Sequence, residues 1–135
     1  MKTSPADKAL HRRVDVIRCQ AGQGPGGDDH TIAAEIPVSL TYKGFSHVVM
    51  MASPGDLEDF ALGFSLSEGI ISSPEALLSC EILDSDQGMI AAMDIPDSAY
   101  RAIAHKRRHL AGRTGCGLCG VESREEAVPP LAPLT

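Results

Sequence analysis

The chain has 135 residues, enough for one modest domain, with hydrophobic and charged fractions of 43% and 22% that are ordinary for a globular protein. Its formal charge of −6 disfavours general nucleic-acid binding, and no apolar run approaches the ~20 residues of a bilayer span. The opening MKTSPADKALHRR has neither the apolar stretch nor the small-residue cleavage site of a secretory leader, and four cysteines (Cys19, Cys80, Cys116, Cys119) are too few and too uneven for a disulfide scaffold. These features point to a reducing compartment, with no membrane and no nucleic-acid partner expected.

Charge is unevenly distributed. Arg101, Lys106, Arg107, Arg108 and Arg113 form a basic block without an acid, directly before the one dense cysteine motif. The placement of this block matters more than the net charge.

In chain order, residues 1–11 read as a disordered terminus, with polar sequence running on to Arg13. The alternation of Arg13-Val-Asp-Val-Ile-Arg18 predicts a short strand, and the glycine-rich stretch AGQGPGGDDHT after it reads as a flexible connector without a phosphate-loop lysine. In Glu35–Tyr42, residues Ile36, Val38, Leu40 and Tyr42 share one face, and Pro37 belongs at a strand start or an edge. Lys43-Gly44 predicts a turn, and Phe45–Met51 a returning strand. His47, inside that strand, reads as a packed, hydrogen-bonded histidine rather than a catalytic one.

Ser53-Pro-Gly-Asp56 carries the signature of a helix start, with Ser53 as cap and Pro54 in the first turn. Leu57, Phe60, Ala61 and Phe64 form one stripe and Leu62, Leu66 and Ile70 a second, so the helix calls for burial between layers; Gly69 ends it. Glu58, Asp59 and Glu68 read as dipole-complementing or solvated charge. Glu81–Leu83 and Met89–Ile95, separated by Asp84–Gly88, predict a second hairpin. Pro96-Asp97 then opens a helix with Ala99, Ala102, Ile103 and Leu110 on its inner face and His105–His109 on its outer one. This order predicts an α/β fold, a mixed sheet with packed helices in layers.

The chemistry concentrates in Arg113-Thr-Gly-Cys116-Gly-Leu-Cys119-Gly120-Val-Glu-Ser123. Gly115, Gly117 and Gly120 describe a tight loop that lets backbone approach a ligand closely. Arg113, the basic block and a helix starting near Val121 would all favour thiolate over thiol. Spacing alone leaves several uses open. A metal site could add His105 and His109 to the cysteine pair, although a basic helix opposes a cation. A thioredoxin-type redox pair would follow a strand, whereas here a helix and a glycine-rich loop precede it. A persulfide-carrying thiolate and a purely structural pair complete the range. Cys19 and Cys80, isolated, read as incidental.

Three ordered blocks carry a family resemblance: Glu35-Ile-Pro-Val-Ser-Leu-Thr-Tyr-Lys-Gly44; His47-Val-Val-Met-Met51 with Asp56-Leu-Glu-Asp-Phe-Ala-Leu-Gly-Phe-Ser-Leu-Ser-Glu-Gly-Ile70; and Gly112–Ser123. Together they resemble the formate dehydrogenase accessory sulfurtransferase family, FdhD. The resemblance implies a layered sandwich similar to cytidine deaminases, although the sequence has no His-x-Glu motif for deamination. It implies a cytoplasmic homodimer that takes sulfur from a cysteine desulfurase. That sulfur goes to the molybdenum (or tungsten) bis-guanine-dinucleotide cofactor of a formate dehydrogenase. Cys116 would carry the persulfide and Cys119 assist it. Arg113, Gly115, Gly117 and Gly120 would face the cofactor, with Lys106, Arg107 and Arg108 favouring its phosphates.

The likeness spans a partial domain, residues 12–124, followed by a Pro-rich tail at 125–135 that does not continue regular structure. Family members extend further beyond the cysteine loop, so this chain reads as truncated. A catalytically inactive module that binds desulfurase or dehydrogenase is the alternative reading, and a Cys/His metal-binding protein the next.

Overall fold

The computed structural model describes residues 9–106, which form two sheets and two helices. Strands β1 (His11–Arg18) and β2 (Gly26–Ala33) make a two-stranded antiparallel arm. The main sheet has four strands in the order β4-β3-β6-β5, from β3 (Ile36–Tyr42), β4 (Phe45–Ala52), β5 (Ser79–Ser85) and β6 (Gly88–Asp94). Helix α1 (Leu57–Ser67) and a 3-10 turn at Pro74–Ala76 connect β4 to β5, and α2 (Asp97–Lys106) follows β6.

The sheet is mixed, as the order of elements predicts: β3 pairs antiparallel with β4 but parallel with β6, from Val38 opposite Met89 to Tyr42 opposite Met93. Lys43 and Gly44 both take positive φ (50° and 81°), the two-residue turn whose twist suits a hairpin. Tyr42 pairs with Phe45 next to that turn, yet Leu40 pairs with Val48 farther along. His47 is the extra residue of this bulge, which reconciles the tight turn with the register of the sheet.

The alternating residues of β3 stand on the core side. Val38, Leu40 and Tyr42 are buried there with Val48, Met89, Ala91, Met93 and Ile95, and Leu57 and Ala61 of α1 pack on them. Pro37 and Ser39 on the opposite face are buried as well. Pro37 is the second residue of β3, ahead of the β6 ladder, where its missing N–H breaks no bond to β6.

Five expectations need correction. The stretch read as a connector contains β2, because charge pairs across the arm (Arg13 to Asp29, Arg18 to Asp28) take the place of an apolar face. Strand β1 starts at His11, two residues before Arg13. Helix α1 starts at Leu57, not near Ser53, because Asp56 is in a left-handed conformation (φ 51°) and no side chain caps the helix. The α1 stripes are also incompletely buried: Leu57 and Ala61 are buried, whereas Phe60 and Phe64 of the same stripe and Leu62, Leu66 and Ile70 of the other are half-buried against the same core. On α2, Ile103 is buried and Ala99 half-buried, but Ala102 faces outward.

Gly88 opens β6 with φ 136°, and a Cβ there would collide with the Pro37 carbonyl. Gly88→Ala should therefore cost about 1–3 kcal/mol from backbone conformation alone, with the collision added. Gly63, on the exposed side of α1 with open space around it, is the control, and Gly63→Ala should stabilise by about 0.5–1 kcal/mol. Urea unfolding of both variants checks the opposite signs.

Candidate functional site

The residues that the sequence marks for chemistry (Cys116, Cys119, Arg113, Gly115, Gly117 and Gly120) lie outside the described residues, as do Arg107, Arg108 and His109. What the structure places is the scaffold leading to them: α2, which runs to Lys106, ten residues before Cys116.

The start of α2 is held by a cation at the β3–β4 turn. The Lys43 ammonium lies 3.0 Å from Asp94 at the end of β6 and 3.1 Å from Asp97 in the first turn of α2. Its backbone N–H donates to the Met93 carbonyl at 2.9 Å. The hydrogen bonds that the Lys43 ammonium donates to the two carboxylates, Asp94 first, raise its pKa, and Lys43 lowers that of Asp97. The helix dipole also favours a carboxylate at Asp97. Next to this clamp, Phe45 and Tyr100 stack with ring centroids 5.9 Å apart, and Ile103 enters the core. The sequence shows Lys43 only as a turn residue. The usable signal was a lysine where a left-handed conformation favours Gly or Asn, with two aspartates flanking the later β6–α2 junction.

His47 packs edge-on against Tyr42 (5.5 Å) and Phe64 (6.2 Å), the packed placement that the sequence predicts. Ser65 donates to the Ala61 carbonyl at 2.7 Å, which leaves its oxygen to accept from the Tyr42 hydroxyl at 2.7 Å. Burial pushes the Tyr42 pKa up to about 12 against the lowering effect of Ser65, so Tyr42 stays a neutral donor. The depression beneath Tyr100, about 30 Å³, has room for a water but not for a substrate.

A larger cleft of about 530 Å³ opens at the N-terminal end of α1, bordered by Asp56, Glu58, Asp59, Glu81 and Cys80. Its acidic rim opposes anionic ligands. Burial, and then Glu58, raise the Cys80 pKa and so disfavour its thiolate. Among the described residues, no group of three or more His, Cys, Asp or Glu could hold a metal ion, and no helix is long and apolar enough to cross a membrane.

The FdhD/NarQ family model matches residues 33–134, which takes in β3 through α2 and the Cys116–Cys119 motif. This chain belongs to the FdhD/NarQ family. Among solved structures it is similar to a protein from Desulfotalea psychrophila described as a formate dehydrogenase accessory protein. The TM-score is 0.53 and the identity 26%, over 65% of this chain and 35% of that one. The chain thus spans about a third of that relative's length.

Two expectations follow. Between about pH 5 and pH 9 both partners of the clamp are charged, so Lys43→Met should lower Tm there. Asp97, with its lowered pKa, contributes stability above the unfolded value of about 3.9 that is lost as pH falls through the folded pKa; Lys43 contributes stability below about 10.4 that is lost as pH rises through its raised pKa. The Tm difference should therefore shrink toward both extremes in a pH series of thermal melts. Separately, alkylation by iodoacetamide at neutral pH, followed by peptide mass mapping, should label exposed Cys19 well before half-buried Cys80.

Proposed function

We propose that this chain acts in formate dehydrogenase maturation as a sulfur carrier, with Cys116 as the persulfide site and Cys119 assisting it. The observation that carries this reading is the family match, whose span includes Cys116-Gly-Leu-Cys119. The solved relative's description as a formate dehydrogenase accessory protein points the same way.

In this reading the Cys116 thiolate attacks the outer sulfur of a cysteine desulfurase persulfide. A new S–S bond forms, the donor's S–S bond breaks, and the donor's inner sulfur leaves as a thiolate with no net oxidation. Arg113 and the basic residues before it stabilise the anionic persulfide and attract the phosphates of the molybdenum or tungsten bis-guanine-dinucleotide cofactor, the substrate that receives the sulfur. Gly115, Gly117 and Gly120 leave room for that bulky molecule. The Lys43 clamp supports the scheme by fixing the first turn of the helix that precedes the motif. The proposed setting is the cytoplasm, with the desulfurase and the dehydrogenase as partners.

Intact mass of the purified chain after incubation with a cysteine desulfurase and cysteine tests this. One added sulfur, removed by reductant and lost in Cys116→Ala, is the expected result. A folded chain that gains no sulfur would leave it a binding module for the desulfurase or the dehydrogenase.

A further inference from the structure

The main sheet has two faces, and the described helices cover one of them: Leu57 and Ala61 of α1 and Ile103 of α2 join the core with Val38, Leu40 and Val48. On the opposite face, Ser39 pairs with Val49 on one side and Ile90 on the other, and Ile90 pairs with Leu83. These four residues form a row across all four strands, and none belongs to the core cluster. Among the described residues, the arm of β1 and β2 makes no extensive contact with the main sheet. Burial along the row is nonetheless steep. Val49 is 0% exposed and Ser39 5%, Ile90 is half-buried, and Leu83 is 38% exposed. Val49 stands on β4, an outer strand, where an uncovered side chain would be among the most exposed of the row rather than the least.

We infer that this face is the docking surface for the tail Ala127–Thr135 of the same chain, seated on the Val49 side of the row through Val128, Leu131 and Leu134. The gradient of burial shows that the cover approaches from β4. Helix α2 stands on that side, since Ile103 and Ala104 border one depression with Phe45, Ser46 and His47 of β4. Chain leaving α2 therefore has only to round the β4 edge to reach Val49. Outside the described residues, the first eight carry Lys2, Asp7 and Lys8, and 107–126 join a basic block and an acidic run through the glycine-framed cysteine motif. The tail alone combines three large apolar residues with no charged side chain.

The spacing of those three residues suits the task. Pro129, Pro130 and Pro133 favour the polyproline II conformation, which has three residues per turn and rises about 3.1 Å per residue. Val128, Leu131 and Leu134 then share one side at intervals of about 9 Å, close to two strand spacings of about 4.8 Å. The prolines also lack N–H groups, so a tail lying on a face, where no ladder is offered, leaves fewer donors unbonded. Docking has a consequence for residues 107–126: α2, fixed at its first turn by Lys43, holds one end and the tail holds the other, so Cys116 and Cys119 sit in a span anchored at both ends. The docking itself does not depend on what those cysteines do.

Methyl NMR of the whole chain tests this. Leu131 methyls should show NOEs to those of Val49, and mixing two differently labelled batches should show that these arise within one copy. Ending the chain at Glu126 should shift the methyl resonances of Val49 and Ile90 while leaving those of core-facing Val38 and Ile82 in place. Leu131→Asp should lower Tm by about 4–8 °C, whereas Ala132→Asp, on another side of the three-residue turn, should leave it within about 1 °C. If Leu131→Asp loses the fold, the NOEs of the parent chain still decide. The docking is overturned if the Leu131–Val49 NOEs are missing or arise only between copies, or if the two aspartate variants lose the same Tm. It is equally overturned if the shortened chain leaves Val49 and Ile90 unmoved, which would assign the cover to residues 107–126.

Discussion

The parallel pairing of β3 with β6 is the constraint on which the rest of the main sheet depends. Because the two strands run the same way, their C-terminal ends lie side by side, with Tyr42 opposite Met93. The residue that turns the chain after β3 therefore lands beside the residues that begin α2. Lys43 meets Asp94 and Asp97 for this reason, although more than fifty positions separate them in sequence. Parallel neighbours also need a crossover, and the segment carrying α1 supplies it while covering the apolar face of the sheet.

Inside that crossover the packing leaves few substitutions open. Ala61 and Ser65 are fully buried where α1 meets the sheet, and the Ser65 hydroxyl satisfies the buried Tyr42 phenol while itself donating to the Ala61 carbonyl. A small polar residue at this place does what neither a larger apolar residue nor alanine could do. It permits close approach and gives a buried hydroxyl its partner. The stripe pattern of α1 marks which face is buried, but not that one member of that face is polar for this reason.

Much of the architecture was legible in local pattern. The two hairpins of the main sheet follow from alternation and turn residues, and the mixed α/β class from the order of elements. Pattern failed where the stabilising contact was neither apolar nor local. Strand β2 reads as a polar, glycine-rich loop because charge pairs from β1 secure it. The α1 start was misplaced because Ser53-Pro54 satisfies a rule of composition, while the backbone needs a left-handed residue at Asp56 before the helix can begin. The Lys43 clamp joins distant segments, and no window of sequence contains it. The cysteine motif shows the converse: its spacing alone left several uses open, the family resemblance narrowed them, and the described scaffold reaches only the helix before it.

The same topology shapes how the chain reaches this state. The β1–β2, β3–β4 and β5–β6 pairings each join strands that are neighbours in sequence, so each closes a short loop and can form on a microsecond scale. The β3–β6 ladder instead joins residues about fifty apart, as in the bond from the Thr41 hydroxyl to the Ala91 carbonyl. Its loop-closure entropy must be met before its contacts contribute. Assembly of the main sheet is therefore the docking of two ready-made hairpins along one seam. Weakening that seam should slow folding, whereas weakening a hairpin's outer edge should mainly hasten unfolding.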